Sequence, residues 1–401
     1  MKKEPPVAGS SVSVRNELKS AIVEALVEWF RVNQRTLPWR GGSPYAVWVS
    51  EIMLQQTQVA TVIPFFLRFM QRFPTIESLA VAPIDGVLQH WAGLGYYARA
   101  RNLHRAAQLV VGMHNGRLPS DPYLIEKLPG IGRYTSGAIL SIAYNVPRPL
   151  VDGNVIRVLS RVFGLRGDPK STSSQAVLWS LAEQLVPETD PGEFNQGLME
   201  LGALICRPEE PLCEQCPLLP HCIAGNLPDP TIYPEMPPGR ATVSVTHAAI
   251  VIATYHTQAG DCRLPNADCR TLLVVQRPLH GLWGGLWEFP RVVCEKGESP
   301  ADAAVRAARE VAGMEVALAE RLSVIKHTVT HHRITLHGYL AEWPGAQDVP
   351  PTGTNMSAKW MTVEDLDDLA FSAPQALLRD AVKQRFTEDR SSAQQSILDF
   401  D

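Results

Sequence analysis

Across residues 18–224, apolar side chains recur at helical spacing between proline and glycine breaks, the pattern that gives a helix one core-facing stripe. This half is expected to be all-α. At residues 226–243 prolines crowd together, and because each fixes φ and lacks a backbone donor, the segment reads as an extended linker. A domain boundary is placed there. Beyond it the period changes: 248–254 and 271–276 are apolar and β-branched, 299–311 is an alanine-rich helical stretch, and 333–340 is a further strand. The second half is expected to be α+β. Residues 387–401 are polar and acidic and are expected to be disordered. The layout is thus a helical domain at 14–225, a linker, an α+β domain at 244–386 and a tail, with no internal repeat.

At 401 residues the chain has room for two or three domains. Its formal net charge of −4 argues against holding nucleic acid by bulk positive charge, so any such contact must be local. No apolar run is long enough to span a bilayer, and residues 1–13 lack the charged-then-apolar order of a signal peptide. A cytoplasmic monomer without a membrane partner is expected. Seven cysteines is an odd number, and four of them crowd into 206–222, which in a reducing compartment reads as metal ligation rather than disulfide.

Cys206, Cys213, Cys216 and Cys222 are separated by six, two and five residues, a spacing that lets one loop aim four thiolates at a common centre. Structural zinc takes such a set, and so does an iron–sulfur cluster. Upstream, Leu128-Pro129-Gly130-Ile131-Gly132-Arg133-Tyr134 offers two glycines that let backbone N–H groups approach a phosphate at the start of a helix. Alone, a Gly-x-Gly turn is often mere helix punctuation. Followed by Val151-Asp152-Gly153-Asn154 and then by the cysteine loop, it resembles the helix-hairpin-helix signature of the endonuclease III and MutY superfamily of DNA glycosylases. The resemblance implies a [4Fe–4S] cluster on the four cysteines and phosphate contacts at Gly130 and Gly132.

Cleaving a glycosidic bond generally calls for an acid at the leaving group and a carboxylate facing a cationic sugar. Asp152 and Glu51 are the candidates. A glutamate at a helix start ordinarily just complements the dipole, but Glu51 lies within Trp48-Val49-Ser50-Glu51-Ile52-Met53-Leu54-Gln55-Gln56-Thr57-Gln58, which resembles the MutY adenine glycosylases. That resemblance implies that Glu51 protonates adenine at N7, which requires an apolar pocket to raise its pKa. Asp152 is implied to stay ionised and to stabilise the sugar cation, as an ion pair or through a transient covalent bond. Asn154 is implied to orient groups around the sugar and Tyr134 to lie beside the reacting centre. Bifunctional relatives carry a lysine at the position of Tyr134, so strand cleavage through a Schiff base is not expected.

A base inside a duplex must be flipped out and its gap filled. By the same resemblance Gln56 inserts into the stack and Tyr96, in Gly93-Leu94-Gly95-Tyr96-Tyr97-Ala98-Arg99, wedges beside the oxidised guanine. Arg35, Trp39, Arg40 and Gln196 are implied to line the adenine pocket, although Trp39 suits a core equally well, and Leu54 is implied to contact substrate or DNA.

In the second half, Leu273–Arg277 and Gly281–Pro290 resemble the start of a Nudix (MutT-like) domain. Hydrolysis on that fold needs glutamates gathered around divalent metal. Arg309-Glu310-Val311 persists here, but Gly313, Met314 and Ala301 stand where others belong, which leaves a binding role: reading 8-oxoguanine opposite adenine. The family's Phe-Ser-His loop becomes Val329-Thr330-His331, so Thr330 keeps a hydroxyl while Val329 cannot stack. Cys262 and Cys269 are expected to be free thiols. Finally, Gln395–Phe400 resembles the short peptides with which bacterial repair proteins bind the sliding clamp.

The expected activity is excision of adenine from double-stranded DNA opposite 8-oxoguanine or guanine, by a nucleoid-associated enzyme. Two other readings stay open. A pyrimidine or thymine-mismatch glycosylase would favour lysine at 134 and no second domain. A non-catalytic damage binder would have lost Glu51 or Asp152.

Overall fold

The structure, a computed structural model, describes residues 13–237, 242–255, 270–279, 281–329, 332–344 and 356–398. The chain forms two compact units, Met1–Ala82 with Asn102–Gly239, and Pro83–Arg101 with Arg240–Asp401. Helices α1 (Asn16–Asn33), α2 (Pro44–Leu54), α3 (Val59–Arg72) and α4 (Ile76–Ala80) precede the 83–101 segment, which carries α5 (Ile84–Trp91) and the first turn of α6 (Ala98–His114). Then come α7 (Pro122–Ile125), α8 (Arg133–Tyr144), α9 (Gly153–Phe163), α10 (Thr172–Leu185) and α11 (Pro191–Leu204).

Local sequence sets these helix starts. Ser43, Asp121, Asp152 and Ser171 each accept a bond from the backbone N–H three residues on, which satisfies a donor the helix cannot. One face of α1 (Ile22, Leu26), α9 (Val155, Leu159), α10 (Leu178, Leu181) and α11 (Phe194, Leu198) closes into a single core. Helix α2 differs, for every residue from Tyr45 to Met53 is buried, as befits a helix that is apolar on nearly all sides. A Cβ at Gly137 of α8 would lie 2.1 Å from the Pro149 carbonyl oxygen. Only glycine permits that crossing, which fixes the chain just before Asp152.

The proline-rich segment does not simply extend. Short 3₁₀ turns form at Ala224–Asn226 and Pro230–Ile232, Tyr233 is buried, and the buried Arg161 donates from Nε to its carbonyl at 2.9 Å. Proline bars an α-helix yet suits the start of such tight turns. The chain as far as Glu235, whose Oε2 accepts from Gly167 N at 2.8 Å, therefore folds against the helical unit.

The second unit is built on a mixed sheet of β1 (Val243–Tyr255), β2 (Arg270–Gln276), β3 (Trp287–Glu288), β4 (Arg291–Val293), β5 (Leu318–Val329), β6 (His332–Glu342) and β7 (Ala358–Thr362). Its main path runs β3-β2-β1-β6-β5, with β4 on β1 and β7 on β2. Strands β1 and β6 are parallel, from Val243 beside His332 to Ala253 beside Glu342. Alternate β1 residues face opposite sides, as a strand requires. Ala248, Ile250 and Ile252 pack on the alanine face of α12 (Pro300–Ala312), while Ala249, Val251 and Ala253 join the cluster that includes Leu378, Val382 and Phe386 of α13 (Ala373–Leu398).

Within the second unit, Gln89 Nε2 donates to the Asp367 carbonyl at 2.9 Å and Arg101 Nη2 to that of Leu279 at 3.2 Å. One expectation gives way here. The tail expected to be disordered from 387 is helical through Leu398, because no glycine or proline interrupts the chain after Pro374. Residues 399–401 lie outside the described part. Among the described residues, no helix is long and apolar enough to cross a membrane.

Candidate active site

A cavity of about 480 Å³ opens in the helical unit, bordered by α2, α8, α11 and the turn before α9. Its lining brings together Glu51, Tyr134, Asp152 and Asn154, which lie far apart in sequence. Glu51 is 4 % exposed and sits in the last turn of α2, not at a helix start, so it cannot complement a positive end. The partial negative charge of a helix C-terminus instead works against its ionisation. Burial pushes its pKa up to about 7, the nearby Asp152 carboxylate adds to the rise, and the Tyr134 hydroxyl, donating to Oε2 at 2.8 Å, opposes it. A carboxyl poised at that value can carry a proton at neutral pH.

Asp152 caps α9 and is held differently. Its Oδ1 accepts from Val155 N at 2.7 Å and its Oδ2 from Asn154 Nδ2 at 3.2 Å. Burial holds this carboxyl above its ordinary value, against the smaller opposing pull of those donors and of the Arg157 charge. Bonds of this kind favour the ionised form. Arg157 also grips Asn154 Oδ1 at 2.8 Å and the Cys206 carbonyl at 2.7 Å, fixing the amide that faces Asp152. The Tyr134 phenol, raised well above its usual range by burial and by the two carboxyls, is a neutral donor.

One wall carries the polar residues expected at a purine. Arg40 donates from Nη2 to Glu200 Oε1 at 2.6 Å and from Nη1 to Gln196 Oε1 at 2.8 Å, and Arg35 Nε donates to Glu200 Oε2 at 2.7 Å. Leu54 lines the opening. Trp39 borders the cavity and packs edge-on against Phe66 at 5.3 Å. Sequence reasoning missed Glu200, which is almost wholly buried between the two arginines. Its one signal is a place one helical turn beyond Gln196 on α11, the same face.

The DNA-facing candidates lie elsewhere. Gly130 has φ +80°, and a Cβ there would stand 2.8 Å from that of Asn102. Gly132 precedes α8 without a side-chain cap, so the first amides of that helix have no capping side chain. Gln56 is exposed with φ +56° in the turn after α2 and does not line the cavity. Tyr96 is 44 % exposed with φ +49° in the 83–101 segment. Thr330, His331, Cys262 and Cys269 lie outside the described residues.

Comparison with known proteins bears on this arrangement. Residues 49–184 match the HhH-GPD superfamily of base excision DNA repair proteins, and residues 264–381 match the NUDIX domain. An adenine DNA glycosylase of Homo sapiens is 38 % identical over 391 residues, covering 87 % of this chain and 71 % of its own. One of Rattus norvegicus is 38 % identical with 86 % and 75 % covered, and one of Schizosaccharomyces pombe is 32 % identical with 86 % and 85 % covered. The chain belongs to the adenine DNA glycosylase family. It is therefore an enzyme of base excision repair, and its substrate is DNA.

Two further regions of this glycosylase concern metal. Cys206, Cys213, Cys216 and Cys222 line one small hollow beside Arg161, which donates from Nη1 to Cys206 Sγ at 3.4 Å. Among the described residues no group of three or more His, Cys, Asp or Glu is arranged to hold a metal ion. Burial and mutual proximity raise the thiols of Cys213, Cys216 and Cys222, that of Cys216 to about 12, so as a free set they keep their protons. Thiolate ligation there needs a cationic centre to offset that cost. In the NUDIX region, Arg306 binds Glu298 at 2.8 Å and Glu310 at 3.1 Å, Gly313 ends α12 with φ +66°, and Met314 is buried. Glu298 and Glu310 are thus held in ion pairs with Arg306.

Proposed function

We propose that this glycosylase hydrolyses adenine from its deoxyribose opposite 8-oxoguanine and leaves the strand uncut. The observation that carries the reading is a single cavity in which a buried acid of pKa about 7 and a hydrogen-bonded carboxylate share one tyrosine as neighbour. In this reading Glu51 gives its proton to N7 of the flipped adenine, the C1′–N9 bond breaks, and adenine leaves neutral. Asp152 faces the sugar cation, held by Asn154 and Val155. Water then adds at C1′ and returns a proton to Glu51. Trp39, Leu54, Arg35, Arg40, Gln196 and Glu200 enclose the purine, while Gln56 and Tyr96 fill the duplex.

Tyr134 supplies no amine, so no Schiff base forms and the product is an abasic site. Its hydroxyl stabilises the Glu51 carboxylate, so Tyr134→Phe should raise the Glu51 pKa and move the alkaline limb of the single-turnover rate profile to higher pH. A limb that stayed in place would detach the tyrosine from the acid.

The cysteine loop is read as the site of a [4Fe–4S] cluster held by Cys206, Cys213, Cys216 and Cys222. Four cysteines lining one hollow, a ligand set that such a cluster takes, support that reading. The cluster would shape the loop, since no step above needs an electron. Thr330 and His331 are read as contacts to the oxidised guanine, and Gln395–Phe400 as a sliding-clamp peptide, which deletion of residues 392–401 tests by clamp affinity.

The test of the whole reading is single-turnover cleavage of duplexes with adenine opposite 8-oxoguanine, guanine, cytosine or thymine. Adenine release fastest opposite 8-oxoguanine, with no strand cut before alkali, is the expected result. Equal rates on all four would remove the proposed specificity.

A further inference from the structure

Tyr96 holds a backbone conformation that bulky side chains rarely adopt, with φ +49°, and such a residue persists only where its surroundings over-determine it. The flanking glycines explain the turn but not the fixed attitude of the ring. Arg99, one turn on and itself buried, supplies the rest. Its Nη2 donates to the carbonyls of Leu94 at 3.3 Å and Gly95 at 3.1 Å, and Trp91 Nε1 donates to Gly95 O at 3.1 Å. The guanidinium carbon lies 5.5 Å from the centroid of the Trp91 ring and 5.3 Å from that of the Tyr96 ring. Trp91 is fully buried, so one cation touches both a core tryptophan and an exposed tyrosine.

We propose that Arg99 is a positioning residue that presents Tyr96 to the duplex, bearing on its ring while clamping the two carbonyls before it. This rests on the reading of Tyr96 as the wedge. Lysine cannot reproduce the function, because a point ammonium neither stacks as a plane nor forks to two carbonyls. The role lies in binding mispaired DNA rather than in bond cleavage, since Arg99 is not among the residues that line the catalytic cavity.

The experiment is a double-mutant cycle on the full chain. Affinity is measured for a duplex carrying hydrolysis-resistant 2′-fluoro-deoxyadenosine opposite 8-oxoguanine, using wild type, Tyr96→Ala, Arg99→Lys and the double variant. Each single change should weaken binding about tenfold, and the double variant should bind no worse than Tyr96→Ala, as coupled neighbours do. The maximal single-turnover rate of Arg99→Lys should fall less than its affinity. Arg99→Gln, which keeps one donor of similar reach, takes its place if the lysine variant melts early. Unchanged affinity in the Arg99 variants, or losses that multiply in the double variant, overturns the proposal. Unchanged affinity in Tyr96→Ala overturns instead the wedge reading beneath it.

Discussion

Glu51→Gln is expected to lower adenine release about a thousandfold while making the folded protein more stable at alkaline pH. The first effect follows because an amide cannot deliver the proton, and general acid catalysis is worth roughly 10²–10⁴. The second follows from where the proton is bound. The native carboxyl has a pKa of about 7 against an ordinary 4.5, so between those values the folded state holds a proton that the unfolded state has lost. The stability associated with neutral Glu51 is complete below 4.5 and is lost as pH rises through 7. The gap corresponds to about 3 kcal/mol. Glutamine does not ionise, and its carbonyl can still accept from Tyr134. Urea denaturation at pH 8 should therefore favour the variant, with the difference vanishing near pH 4. No gain over wild type at pH 8 would mean that Glu51 is not held in a desolvated, proton-retaining site.

Asp152→Asn should reduce the rate by about 10²–10³, the usual cost of losing one preorganised electrostatic contact to a charged transition state. Folding should be nearly untouched, because asparagine caps a helix as well as aspartate does. The informative measurement pairs single-turnover kinetics with thermal unfolding. Activity lost in proportion to unfolding would reduce Asp152 to a structural cap.

Much of this was legible in the chain because the relevant signals are local. The apolar runs 248–254 and 271–276 fall within β1 and β2, and the alanine-rich stretch 299–311 nearly coincides with α12. The strings around Glu51 and Asp152 named both carboxyls, but not that Glu51 closes a helix, since Pro44 and Ser43 set the start several residues earlier than the string suggests. Strand β5 gave no signal. It is an edge strand, and Glu320, Arg321 and Lys326 interrupt any apolar run, as edges often require. Glu200 was equally silent, for a glutamate on a helix looks solvated until two arginines from another part of the chain are seen to bury it.

The two oxygens of Asp152 have separate occupations. Oδ1 accepts from the Val155 amide at 2.7 Å, whereas Oδ2 takes the longer contact to the Asn154 side chain at 3.2 Å. One atom thus anchors architecture and the other is left for the reagent's task. Serine at 152 would retain the anchor and delete the reagent, yielding a protein that still grips its lesion but is chemically mute, the form best suited to capturing the extruded nucleoside intact.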